Sequence, residues 1–96
     1  MPGPTLTIVT PWFEHEELAA DYFSTVIPCL TDDDRLCVVD NGSNPPLPFA
    51  DIRLEHNEGV NFAYNVGLRT ADTEAVLFLN KANCETVIGR FAVDDE

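Results

Sequence analysis

The chain has 96 residues, 45% of them hydrophobic and 23% charged, and its 17 acidic side chains against 5 basic ones set a formal net charge of -12. That length accommodates one domain around one core, and the hydrophobic content lies outside the regime of chains that stay disordered. The charge excludes the phosphate-neutralising surface that nucleic acids and anionic membranes require, and no apolar run approaches the ~20 residues that span a bilayer.

The opening Met1-Pro2-Gly3-Pro4-Thr5 carries no basic region, so the expected location is the cytoplasm. Leu6-Thr7-Ile8-Val9-Thr10 is aliphatic and β-branched and predicts a strand, which the missing N–H of Pro11 is expected to stop at Thr10. Leu18, Ala19, Tyr22, Phe23, Val26, Ile27 and Leu30 recur at spacings of three and four, predicting a helix over residues 16–30. Pro28 and the acidic Asp32-Asp33-Asp34 leave its exit without a favourable cap.

Leu36-Cys37-Val38-Val39 is apolar without alternation, the pattern of a central parallel strand covered on both faces. Asp40-Asn41-Gly42-Ser43 then forms a turn cluster, and the prolines at 45, 46 and 48 predict an extended connector. Ile52-Arg53-Leu54-Glu55 alternates and reads as an edge strand. Asn61 suits the N-cap of a helix over 62–70, and Val76-Leu77-Phe78-Leu79 is a second continuous apolar strand. The order β-α-β-β-α-β predicts a single α/β domain with a Rossmann-like, mainly parallel sheet of about four strands, in spatial order 3-2-1-4, and two helices. Residues 86–93 are a candidate additional strand. Cys29, Cys37 and Cys84 are odd in number and lack Cys-x-x-Cys spacing, which argues against a disulfide framework or a zinc site and for free, mostly buried thiols.

Ligands of open α/β sheets bind beyond the carboxyl ends of the strands. Those ends carry Thr10 and Trp12 after the first strand, Asp40, Asn41 and Ser43 after the second, Asn57 and Asn61 before the second helix, and Asn80 after the fourth strand. A planar heterocycle has Trp12 to stack on and the Asp40 carboxylate to receive a base N–H, while the short side chains of residues 41–43 leave room for a ribose. Each residue also has a purely structural use. Asp40 can close its own turn, Trp12 can staple the first helix onto the sheet, Asn61 can cap, and Asn65 can tie down a loop. His15 beside Glu14 and Glu16 has no suitably spaced second ligand, and Asp94-Asp95 reads as a solvated tail, so no metal ligands are assigned.

Three stretches together resemble the N-terminal, nucleotide-sugar-binding half of family 2 glycosyltransferases, which have the GT-A fold. They are Leu6-Thr7-Ile8-Val9-Thr10-Pro11-Trp12, then Val38-Val39-Asp40-Asn41-Gly42-Ser43, then residues 57–68 from Asn57-Glu58-Gly59 to Val66-Gly67-Leu68, leading to Val76-Leu77-Phe78-Leu79-Asn80. The resemblance spans residues 6–80 and implies that residues 1–96 form a truncated GT-A-like domain. It implies that Thr10 and Trp12 border the base, that Asp40 accepts from the base ring, and that Asn61 and Asn65 lie near the ribose and diphosphate. Asn41 and Asn80 complete the nucleotide-binding set. The implied ligand is a nucleotide-diphosphate sugar, a UDP-linked one being among the candidates.

The chain departs from the family where an Asp-x-Asp element normally holds a divalent cation, since it reads Asn80-Lys81-Ala82-Asn83. Mg or Mn is therefore expected only if a partner supplies ligands. The family's acceptor-binding half and catalytic base lie further on, so no catalytic residue is assigned and transfer by this chain alone is not expected. A second expectation is a non-catalytic assembly subunit, such as part of a particle surface, that reuses the fold without its chemistry. In either case the apolar fourth strand is left at a sheet edge, which predicts a homo-oligomer or larger assembly through residues 76–93.

Overall fold

Residues 5–80 are described by the structure, a computed structural model. Its strands are β1 (Leu6–Trp12), β2 (Arg35–Asn41), β3 (Ile52–Leu54) and β4 (Ala75–Phe78), and its helices are α1 (Ala19–Val26) and α2 (Val60–Thr70). They form a four-stranded, all-parallel sheet in the order β3-β2-β1-β4, as the sequence predicts. Among the described residues no helix is long and apolar enough to cross a membrane.

The unalternating run of residues 36–39 has the predicted cause. On one face Leu6, Ile8, Trp12 and Val38 pack with Tyr22 and Val26 of α1 and with Leu47 and Leu79. On the other, Val9, Cys37 and Val39 pack against Ala63 of α2. Every strand residue in the middle of the sheet is thus covered, whichever way its side chain points. Helix α2 approaches the sheet closely at Gly67, where an added Cβ would stand 2.3 Å from Val9 Cγ1. Gly67→Ala is expected to lower stability by about 1–3 kcal/mol despite alanine's better helix propensity. Combining it with Val9→Ala should recover much of that loss in a double-mutant cycle followed by urea denaturation. Simple additivity would show that the contact is not responsible.

Several boundaries differ from expectation. β1 runs through Pro11 to Trp12, which align with Val39 and Asp40 of β2. Val9 accepts from Leu79 N, so the odd-numbered residues of β1 turn their backbone groups toward β4, whose pairing has ended by Pro11. The missing N–H falls where no ladder bond was required. The first helix is divided into a 3-10 turn (Glu16–Leu18), α1, and a second 3-10 turn (Ile27–Cys29) that contains Pro28. Its exit is secured by Asp34, which accepts from Thr31 N at 2.9 Å and from Leu6 N at 3.0 Å and so joins the turn to β1. Asn61 is not a cap: α2 begins at Val60 with Gly59 in the cap position at φ 89°, and Asn61 lies exposed in the first turn. Of the described cysteines Cys37 is buried and Cys29 exposed. Burial raises the Cys37 thiol pKa against a lowering hydrogen bond from Thr70, and the nearby Asp51 charge raises it further. Cys84 and the candidate strand over 86–93 lie outside the described residues.

Candidate functional site

Asp40 sits at the end of β2 with its side chain fully buried. Its Oδ1 accepts from Ser43 N at 2.8 Å, and its Oδ2 accepts from Leu47 N at 2.9 Å and from Arg53 Nη1 at 3.2 Å. Arg53 is its register partner on β3, so parallel pairing places the two side chains on one face. Burial pushes the carboxyl upward, but the hydrogen bonds from Leu47 and Ser43 and the Arg53 charge together outweigh it and hold Asp40 below the ordinary carboxylate range. The carboxylate therefore organises residues 40–47 from inside.

The same turn is tied to the end of β1. Glu14 N donates to Ser43 Oγ at 2.7 Å, and Asn44 N donates to the Glu14 carboxylate at 2.9 Å. To reach this position Glu14 and His15 both adopt φ 58°, a left-handed conformation that non-glycine residues seldom take. This pairing of the β1 and β2 ends leaves Phe13 about 40% exposed above the sheet.

Thr10 and Trp12 lie on the α1 face of β1, and both are fully buried. The Thr10 and Tyr22 hydroxyls are hydrogen-bonded to each other. The Trp12 ring is 5.1 Å from Tyr22, 4.9 Å from Phe49 and 6.4 Å from Phe23 between centroids, and its Nε1 donates to His15 O at 3.3 Å. An aromatic cluster, edge-to-face with Tyr22 and Phe49 and nearly parallel with Phe23, thus occupies the indole surroundings that a base would need. In this arrangement neither Trp12 nor Asp40 offers a ligand an open face.

Asn41 points to the opposite face and is almost wholly buried. Its Nδ2 donates to Asn57 Oδ1 and Gly59 O, both at 3.2 Å, while its Oδ1 accepts from Glu58 N at 2.9 Å. One amide thereby shapes the loop that leads into α2, satisfying donors and acceptor together. Asn61 and Asn65 are exposed on α2, with Asn65 roughly opposite the sheet-facing Ala63 by helical periodicity, and Asn80 is exposed after β4.

The residues expected to converge are therefore divided. Thr10, Trp12 and Asp40 belong to the α1-side core, Asn41 to the α2-side loop, and Asn61, Asn65 and Asn80 to the surface. Three participants were not foreseen: Arg53, Ser43 as acceptor for Glu14, and Glu14 itself. Arg53 was discoverable in principle, because an arginine on the strand that pairs beside Asp40 is the natural counter-charge. Among the described residues no group of three or more His, Cys, Asp or Glu side chains is placed to hold a metal ion. Asn80, exposed after β4, carries an amide and not a carboxylate, and Lys81-Ala82-Asn83 lie outside the described residues. No family model, curated protein or solved structure matches this chain.

Proposed function

We propose that the chain is a nucleotide-diphosphate-sugar-binding half-domain of the family 2 glycosyltransferase type, acting in the cytoplasm and not transferring sugar by itself. The observation that supports this most is the all-parallel β3-β2-β1-β4 order. In such sheets the connection reverses direction between β1 and β4, and the carboxyl ends there form the usual ligand crevice. The first turn of α2 has no side-chain cap and lies at that end of the sheet, where a diphosphate gains from unpaired N–H groups and the helix dipole. On this reading Asn61, Asn65, Asn80 and the first-turn N–H groups of residues 60–62 contact the ligand, while Thr10, Trp12, Asp40 and Asn41 hold the rim that presents them.

UDP is the probe for this reading. It is expected to bind weakly, with Kd from sub-millimolar to millimolar, about -4 to -6 kcal/mol. Affinity should rise with salt, since the chain and the ligand are both negative and screening reduces their repulsion. Amide shifts should concentrate at residues 13–14, 57–61 and 80, and Asn61→Asp should weaken them. Absence of shifts at millimolar UDP, or shifts confined to α1, would remove the nucleotide reading. Sugar transfer that vanishes with a chelator would overturn the non-catalytic part.

A second reading, a structural assembly unit without a ligand, is favoured by the internal use of Thr10, Trp12 and Asp40. A folded chain silent to nucleotide would support it.

A further inference from the structure

Among the described residues no strand pairs with the outer side of β4, and strand parity decides what that side presents. Ala75 N donates to Thr5 O and Leu79 N to Val9 O, each at 3.0 Å, so residues 75, 77 and 79 turn their backbone groups toward β1. Val76 and Phe78 turn theirs outward, where no described strand pairs with them. Edges of this kind are normally blunted by charge, proline or a bulge. Residues 75–80 contain no charged residue and no proline, in a chain whose net charge is -12. Beside the edge lies an apolar shelf: the Phe78 and Tyr64 rings are 4.7 Å apart, and Phe78 and Leu68 are 44% and 43% exposed.

We propose that a second copy of this chain occupies this edge, with β4 pairing antiparallel to β4 about a two-fold axis at Leu77. A continuous sheet requires an axis normal to it, so opposed residues must share a face. With the axis at Leu77, Val76 opposes the partner's Phe78 and Phe78 opposes the partner's Val76, and both outward-facing residues exchange N–H and C=O bonds. Leu77 opposes the partner's Leu77, and Ala75 opposes the partner's Leu79. Glu74, the nearest charge on the described edge, opposes the partner's neutral Asn80. This register sets no like charges against each other. Elsewhere the two acidic bodies repel, which gives a sign for salt: added salt tightens the dimer by screening the long-range repulsion while leaving the neutral edge in place.

Sedimentation at tens of micromolar should show a dimer that strengthens with salt. Val76→Pro removes an N–H that makes no bond to β1, so the folded monomer should persist while the dimer Kd rises at least tenfold. Phe78→Lys is the second variant and should act alike by placing a charge on the edge. Hydrogen exchange gives a readout independent of both: the amides of Val76 and Phe78 should gain protection as concentration rises, and the inward amide of Leu77 should not change. A monomer at all accessible concentrations and salt levels would overturn the proposal, as would a dimer indifferent to both substitutions. Concentration-independent protection of Val76 and Phe78 in a monomer would instead assign the edge to another segment of the same chain and would equally overturn it.

Discussion

Asp40→Ala is expected to lower folding stability by about 2–5 kcal/mol. The carboxylate is wholly buried and is the acceptor for Ser43 N and Leu47 N, so its removal strands two backbone donors at ~1–3 kcal/mol each. A small domain with total stability of about 5–15 kcal/mol loses a large share of it. Arg53→Ala should cost less, about 1–2 kcal/mol, because the arginine side chain is 43% exposed and the buried Asp40 carboxylate keeps its hydrogen bonds from Ser43 N and Leu47 N when the guanidinium is removed. Urea denaturation of the two variants beside Asp32→Ala, an exposed carboxylate, provides the comparison. An Asp40→Ala midpoint no lower than that of Asp32→Ala would refute the organising role.

The acid limb supplies a second measure of the same residue. The folded-state pKa of Asp40 is lowered, so between it and the unfolded value of about 4 the unfolded chain binds more protons, and stability rises with pH there. The contribution is fully present above the unfolded value and is lost as pH falls through the folded one. Asp40→Ala should therefore flatten that part of the stability profile as well as lower its plateau.

Gly42→Ala is expected to cost about 3–4 kcal/mol, combining two effects. Gly42 has φ 85°, where a Cβ is strained in any surroundings, and that Cβ would stand 2.4 Å from His56 C and 2.5 Å from Asn57 N. Both obstacles are backbone atoms, so relief requires residues 56–57 to move, and with them the Asn41–Asn57–Gly59 hydrogen bonds. Gly59→Ala separates the two effects. Its φ is 89°, but nothing lies within 4 Å of its Cβ position, so only the conformational cost of about 1 kcal/mol should appear. Equal losses from the two variants would show that the approach of residues 42 and 56 is unimportant. In Gly42→Ala the amides of Glu58 and Gly59 should also exchange faster, because Gly59 N donates to the displaced Asn57 and Glu58, which follows it, is drawn away from Asn41 Oδ1.

The architecture was legible because its signals are local and redundant. Residues 36–39 are apolar without alternation, as double-sided burial demands, residues 76–79 form a second apolar run that signals a strand although Phe78 is half-exposed, and the β-α-β-β-α-β order restricts the topology. The turn at residues 40–43 was equally legible from Asp-Asn-Gly-Ser, and the structural role considered for Asp40 is visible as its bonds to Ser43 and Leu47. Strand and helix limits were less so. Whether Pro11 ends a strand depends on which neighbour its missing N–H would have faced, and whether Asn61 caps α2 depends on the turn that Gly59 makes before it.

The candidate site was legible as a set of positions near strand ends, but not as a set of available groups. Thr10, Trp12 and Asp40 share one face of the sheet by strand parity, and parity does not say what covers that face. Tyr22 and Phe23 from α1 and Leu47 and Phe49 from the connector close over them, through contacts between residues distant in sequence. The opposite parity sends Asn41 to the α2-side loop, where its hydrogen bonds to Asn57, Glu58 and Gly59 are set by the approach of two non-adjacent turns. Sequence by itself determined which residues are apolar, which can turn, and hence the parallel sheet. The tertiary structure alone decided which polar groups at its end stay open and which are enclosed, because burial and hydrogen-bond partnership belong to packing between segments.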